Sequence, residues 1–99
     1  MADVYTFSQL QELMNPVFSA YDVQKAVLFG SYGKGTASTN SDIDLLVDSR
    51  LHGLHFVGLL GDLKNRVGKE IDLFDITHIV PGSRIDKEIH QTGVTLYEK

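Results

Sequence analysis

Apolar residues at Phe7, Leu10, Met14, Val17 or Phe18, and Tyr21 recur at helical spacing, with Thr6 or Ser8 placed to cap the start. Pro16 interrupts the stripe. A proline removes a backbone donor and pushes the preceding residue out of helical geometry, so the pattern predicts a kink or a restart, with Asn15 capping a second short helix. Ala26-Val27-Leu28-Phe29 is an unbroken apolar run ending at Gly30, as expected of a strand buried on both faces. From Gly30 to Ser41 the composition is that of a loop with room for one helical turn. Asp42 to Asp48 then alternates: Ile43, Leu45 and Val47 share one face, and Asp42, Asp44, Leu46 and Asp48 the other. Phe56, Leu59 or Leu60, Leu63 and Val67 mark a second helix, stopped by Gly68. A strand is expected over Glu70–Ile76 and a short helix over Pro81–Gln91, with Ile85 and Ile89 inward and Gly93 ending it. Val94–Tyr97 closes the chain as a strand, Tyr97 packing at the sheet edge. The order predicts an α/β (α+β) fold, a small mixed β-sheet with helices packed on it.

Ninety-nine residues accommodate one domain, 1–99. With 42% hydrophobic and 22% charged residues, the chain has the composition of an ordinary folded protein. A domain of this size buries only about 60 to 70% of its unfolded surface, so an active site is expected to be open or completed by a partner. The formal charge of −4 repels phosphate backbones, and direct nucleic-acid binding is not expected. The absence of cysteine excludes a disulfide framework, a cysteine-ligated zinc site and a thiol nucleophile. The four histidines, His52, His55, His78 and His90, have no zinc-ligand spacing and read as surface or packing residues. The start, Met1-Ala2-Asp3-Val4-Tyr5, lacks the basic and apolar segments of a signal peptide, and no apolar run approaches the roughly 18 residues of a membrane span. A cytoplasmic location is the resulting expectation.

Asp42 and Asp44, two apart on a strand, project from one face with Cα atoms about 6 to 7 Å apart. Their carboxylates repel, which raises one pKa unless a cation intervenes. Magnesium prefers such oxygen ligands together with substrate phosphates. An Asp-x-Asp alone is more often a solvated rim, and Asp48 reads as such a strand end. Upstream, Gly30-Ser31-Tyr32-Gly33-Lys34-Gly35 lets backbone amides approach an anion closely. It matches neither the Walker A pattern nor G-x-G-x-x-G. Ser31 has a second reading as the cap of a helical turn. Tyr32 is expected to cover the loop.

Gly30 to Gly35, followed by Ser41-Asp42-Ile43-Asp44-Leu45-Leu46-Val47, resembles the signature of the minimal nucleotidyltransferases of the DNA polymerase β superfamily, and the likeness spans nearly the whole chain. The resemblance implies a polymerase β palm-like fold, with Gly30, Ser31, Lys34 and Ser41 at the nucleotide. It also implies that Asp42 and Asp44 hold two magnesium ions, with a third acid on a later strand. Glu70, Asp72 and Asp75 are the candidates. The family's hydrophobic-aspartate-hydrophobic pattern matches Ile71-Asp72-Leu73, which assigns Asp72 to the catalytic and metal-binding set. Asp75 points to the opposite face, and Glu70 sits at the strand entrance. Arginine is usual in the family at the position of Lys34, and alanine is frequent at that of Gly33, so a bidentate phosphate contact becomes a point charge.

The implied activity is transfer of AMP from ATP to a hydroxyl. Small members of the family resemble antitoxins that adenylylate a tyrosine on a helical HEPN ribonuclease toxin. Two other readings are an antitoxin that neutralises its partner by binding alone, and a small-molecule (antibiotic) nucleotidyltransferase. The latter needs an acceptor pocket that this length hardly supplies.

Overall fold

The computed structural model describes residues 4–99, so the Met1-Ala2-Asp3 start lies outside the described residues. Helix α1 spans Phe7–Ala20, and its start is fixed by a capping box: Gln9 N–H donates to Thr6 Oγ1, and Thr6 N–H to Gln9 Oε1. Leu10, Met14, Val17 and Phe18 are its buried stripe. The expected break at Pro16 is absent, and Asn15 caps nothing. Pro16 lies on the exposed side of the helix, where water reaches the carbonyl it frees, while buried residues before and after it are anchored in one core. Tertiary packing overrides the local preference.

Strand β1 is Lys25–Phe29, followed by the five-residue helix α2, Gly30–Lys34, the single turn expected inside the loop. Strand β2 is Ile43–Asp48, with a strictly alternating burial pattern. Helix α3, Leu54–Val67, ends at Gly68 in left-handed geometry. Strand β3 is Ile71–Asp75, shorter than the expected Glu70–Ile76 because a 3-10 turn, Ile76–His78, takes over at its end. Helix α4, Arg84–Thr92, starts three residues later than expected, because Ser83 caps it by accepting a hydrogen bond from Asp86 N–H. Ile85 and Ile89 are only half-buried. Strand β4, Val94–Glu98, closes the sheet.

The four strands lie in the order β3-β2-β1-β4, with β1 antiparallel to β2 and β4, and β2 parallel to β3. The parallel pair is made possible by the crossover through α3. Helices α1 and α3 pack on the face bearing Ala26, Leu28, Ile43, Leu45 and Val47, which with Ile71 and Leu96 form one core. Tyr97, on edge strand β4, packs on Phe18 with ring centroids 5.4 Å apart. The opposite face carries Phe29, Asp44, Leu46, Asp72 and Phe74. This is the small mixed sheet that the sequence predicts. No helix among the described residues is long and apolar enough to cross a membrane.

Asp75 faces away from Asp72 and is 3% exposed. It accepts hydrogen bonds from Ser49 N–H (3.0 Å), Ser49 Oγ (2.6 Å), Thr77 N–H (3.1 Å) and Thr77 Oγ1 (2.8 Å). Burial by itself pushes the carboxyl up, but these donors outweigh it and hold its pKa below the usual value. Asp75→Ala strands the buried Ser49 amide and hydroxyl, while the exposed Thr77 donors turn to water, and is expected to lower unfolding stability by about 2 to 3 kcal/mol in urea at pH 7. A depressed carboxyl pKa stabilises the fold above the unfolded value near 3.9, and that contribution is lost as pH falls through the native value. The gap between variant and wild type should therefore narrow in acid.

Candidate active site

Three adjacent elements converge on Asp44. Phe29 of β1 and Asp72 of β3 are its register partners on either side, so all three side chains share one face. The Phe29 and Phe74 rings pack 6.1 Å apart on that same face. Gly30 follows Phe29 directly with φ +71°, a left-handed conformation that favours glycine. A Cβ at Gly30 would overlap the Asp44 carboxylate. The glycine turn and the acidic strand are thus in direct contact, as the spacing of the two motif halves requires.

The electrostatics follow from this crowding. The Asp44 pKa is pushed up to about 6, first by burial and then by Asp72, with Glu88 and Asp42 adding to it. Asp72, the register partner of Asp44 on β3, is the charged neighbour that raises it most. Asp42 precedes β2, is exposed, and acts on Asp44 only through its charge. Among the described residues, none of Asp42, Asp44 and Asp72 has a basic partner within ion-pair distance. Nor, among them, are three Asp, Glu or His side chains already gathered as a closed ligand set. Hard oxygen donors carrying excess, unpaired negative charge are nevertheless the donor chemistry that suits a divalent cation such as magnesium.

The remaining candidates are placed unequally. Ser31 lies in the first turn of α2, where the side chain of no residue caps the helix, so the capping reading of Ser31 does not hold. Ser41 Oγ accepts a hydrogen bond from Ser38 N–H at 2.9 Å and closes the turn leading into Asp42. Lys34 lines a cavity of about 370 Å³ with Thr6, Leu28 and Gly35, and none of the three aspartates borders it. Glu70, the other acid on the Asp72 face, pairs with Lys64 at 3.2 Å. Tyr32 does not cover the loop: it is 8% exposed and belongs to the core. Its neighbours in the turn are glycine, serine and lysine, which leaves it as the one apolar anchor tying α2 to the sheet.

Two residues near the site carry no sequence motif. Glu88 adds its charge to the field at Asp44, and Thr92 accepts a hydrogen bond from Gly30 N–H at 2.8 Å. Only the helical phase of α4 could have pointed to them, and without knowing which face α4 turns to the sheet that signal is mute. Gly33 approaches α4 so closely that a Cβ would overlap the Thr92 carbonyl oxygen and lie 3.0 Å from that of Leu28. Both obstacles are backbone. Gly33→Ala is therefore expected to lower stability by about 1 to 3 kcal/mol, measured by thermal denaturation, although alanine is the residue the family resemblance leads one to expect there.

A Methanocaldococcus jannaschii protein that carries the name protein adenylyltransferase is 30% identical over 76 residues, which cover 75% of this chain and 82% of that protein. A crystal structure of a toxin–antitoxin with AMP-PNP superposes with a TM-score of 0.72 at 24% identity, over 90% of this chain and 73% of the other. A minimal nucleotidyltransferase structure gives a TM-score of 0.72 at 21% identity, over 91% and 95% of the two chains. At 19% identity, a Shewanella oneidensis complex of a tri-AMPylated HEPN toxin with an MNT antitoxin gives a TM-score of 0.68, over 95% and 74% of the chains. These structural likenesses concern the fold. Residues 12–99 match the family described as Polymerase beta, Nucleotidyltransferase, and the chain belongs to that family.

Proposed function

We propose that this protein is a single-domain antitoxin that transfers AMP from ATP to a hydroxyl, that of a tyrosine, on a helical HEPN-type toxin in the cytoplasm. The observation that carries the reading is the contact of Gly30 with Asp44 and of Asp44 with Asp72 on one sheet face. That arrangement supports a triphosphate seat beside paired carboxylates. The name of the archaeal relative and the AMPylated toxin in the Shewanella complex support the choice of a protein acceptor.

In this reading the backbone around Gly30 and Ser31 meets the phosphates, with Ser41 contributing from the loop, while Lys34, which lines the cavity on the α1 side, adds no contact to them. Asp42, Asp44 and Asp72 would hold two magnesium ions, which supply charge neutralisation on the phosphates and lower the pKa of the attacking hydroxyl. The hydroxyl oxygen forms a bond to the α-phosphorus while the bond to the bridging oxygen breaks, and pyrophosphate leaves. Asp72, the more exposed of the facing pair, takes the hydroxyl proton. The Phe29 and Phe74 rings lie on the same sheet face and lower the polarity beside Asp44. The acceptor site is supplied by the partner, a reading supported by the cavity beside Lys34 having none of the three aspartates in its lining.

The test is incubation with α-labelled ATP, magnesium and the co-expressed partner, followed by mass spectrometry of the partner. Addition of adenylyl groups to a tyrosine is expected. A partner that stays unmodified while remaining bound and neutralised would replace this reading with simple occlusion. Label appearing on an aminoglycoside without any protein partner would replace it with small-molecule transfer.

A further inference from the structure

The contact that holds the Gly30 turn in place comes from α4, outside every motif. Thr92 is the one buried residue of that helix. Its Oγ1 accepts a hydrogen bond from Gly30 N–H at 2.8 Å and donates one to the Glu88 carbonyl, also at 2.8 Å. The single hydroxyl proton is committed to the helix, so a lone pair is left facing Gly30 and the hydroxyl has no freedom to turn. The carbonyl of the same residue abuts Gly33. Thr92 therefore touches α2 twice, at its first residue by side chain and at its fourth by backbone. A helix of five residues is too short to hold itself in water and takes its position from such contacts. Gly30 in turn lies against the Asp44 carboxylate. One unbroken series of contacts runs from Glu88 through Thr92 and Gly30 to Asp44.

We infer that Thr92 is a positioning residue for nucleotide transfer, its hydroxyl fixing the Gly30 amide and thereby the gap between the glycine turn and Asp44. This rests on the nucleotidyl-transfer reading above. What the position requires is an acceptor, not merely a small side chain, because without one the Gly30 amide is buried and unpaired. Thr92→Ser keeps the acceptor. Thr92→Val keeps the shape and removes it.

The test measures binding of AMP-PNP with magnesium, KM for ATP and kcat for AMP transfer to the partner, and melting temperature, for wild type and both variants. Thr92→Val should weaken AMP-PNP binding and raise KM about tenfold. Thr92→Ser should recover most of both. In the wild type the Gly30 amide should exchange with solvent far more slowly than that of Ser31, an observation that does not depend on any variant folding. A lowered melting temperature with AMP-PNP binding and KM unchanged would reduce Thr92 to a structural role and overturn the inference. So would an equal loss in Thr92→Ser, or rapid exchange at Gly30 in the wild type. If the wild type itself neither binds AMP-PNP nor transfers AMP, the underlying reading fails instead, and the Gly30 exchange rate still reports on the hydrogen bond.

Discussion

Asp44→Asn is expected to abolish AMP transfer, by at least about a thousandfold, while making the cation-free protein more stable at neutral pH. Both effects come from one charge. Removing it takes away a carboxylate that holds the cations, and several kcal/mol of transition-state stabilisation correspond to three or more decades in rate. The same carboxylate is strained in the free protein, since burial, Asp72, Glu88 and Asp42 together push its pKa up to about 6. A carboxyl whose pKa is raised on folding stabilises the fold most below its unfolded value near 3.9, and that advantage is lost as pH rises through about 6. At pH 7.5 in a chelator, Asp44→Asn should gain about 1 to 2 kcal/mol, a figure reduced from the full shift because the group is only half-buried and solvent screens it. At pH 4 the gain should vanish. Magnesium should then stabilise the wild type and leave the variant unmoved. Thermal melts at the two pH values, with and without magnesium, check the pattern, and a variant less stable than wild type at pH 7.5 in chelator would contradict it.

This opposition of stability and chemistry explains which parts of the protein can be read from its sequence. Strand β2 is legible because Ile43, Leu45 and Val47 must go inside, which leaves Asp42 and Asp44 no choice of face. The glycine turn is legible because a buried strand that stops at Gly30 has to change direction there. Other features answer to partners distant in sequence. Pro16 should break α1, yet Met14, Val17 and Phe18 are held by a core that local rules cannot see. Tyr32 looks like a lid among glycines, but a five-residue helix needs an anchor in the core and Tyr32 is the side chain available. Lys34 follows the motif in sequence and faces the α1 side of the sheet in space. Asp75 and Asp72 are separated by parity alone: one residue faces the Ser49 donors and becomes structural, the other faces Asp44. Thr92 shows the limit most clearly, because its partner Gly30 is 62 positions away.

Gly30→Ala should damage fold and chemistry together, unlike Asp44→Asn. With φ at +71°, any side chain there costs about 1 to 2 kcal/mol of backbone strain, and the added methyl overlaps the Asp44 carboxylate. Overpacking of this kind adds about 1 to 3 kcal/mol, so a total loss of about 2 to 5 kcal/mol is expected. Whatever relief the structure finds must move either the turn or the carboxylate, and displacement of about 1 Å at a reacting centre lowers the rate about a hundredfold. The two contributions are separable in a double-mutant cycle with Asp44→Ala. Truncation at Asp44 removes the overlapping carboxylate and leaves its Cβ 3.5 Å from the new methyl, an ordinary contact. The steric part should then disappear while the backbone strain remains, a coupling of about 1 to 3 kcal/mol between the sites. Urea denaturation of the four proteins measures it. Strict additivity would show that the turn and the aspartate do not touch in solution, and would remove the contact on which the triphosphate seat depends.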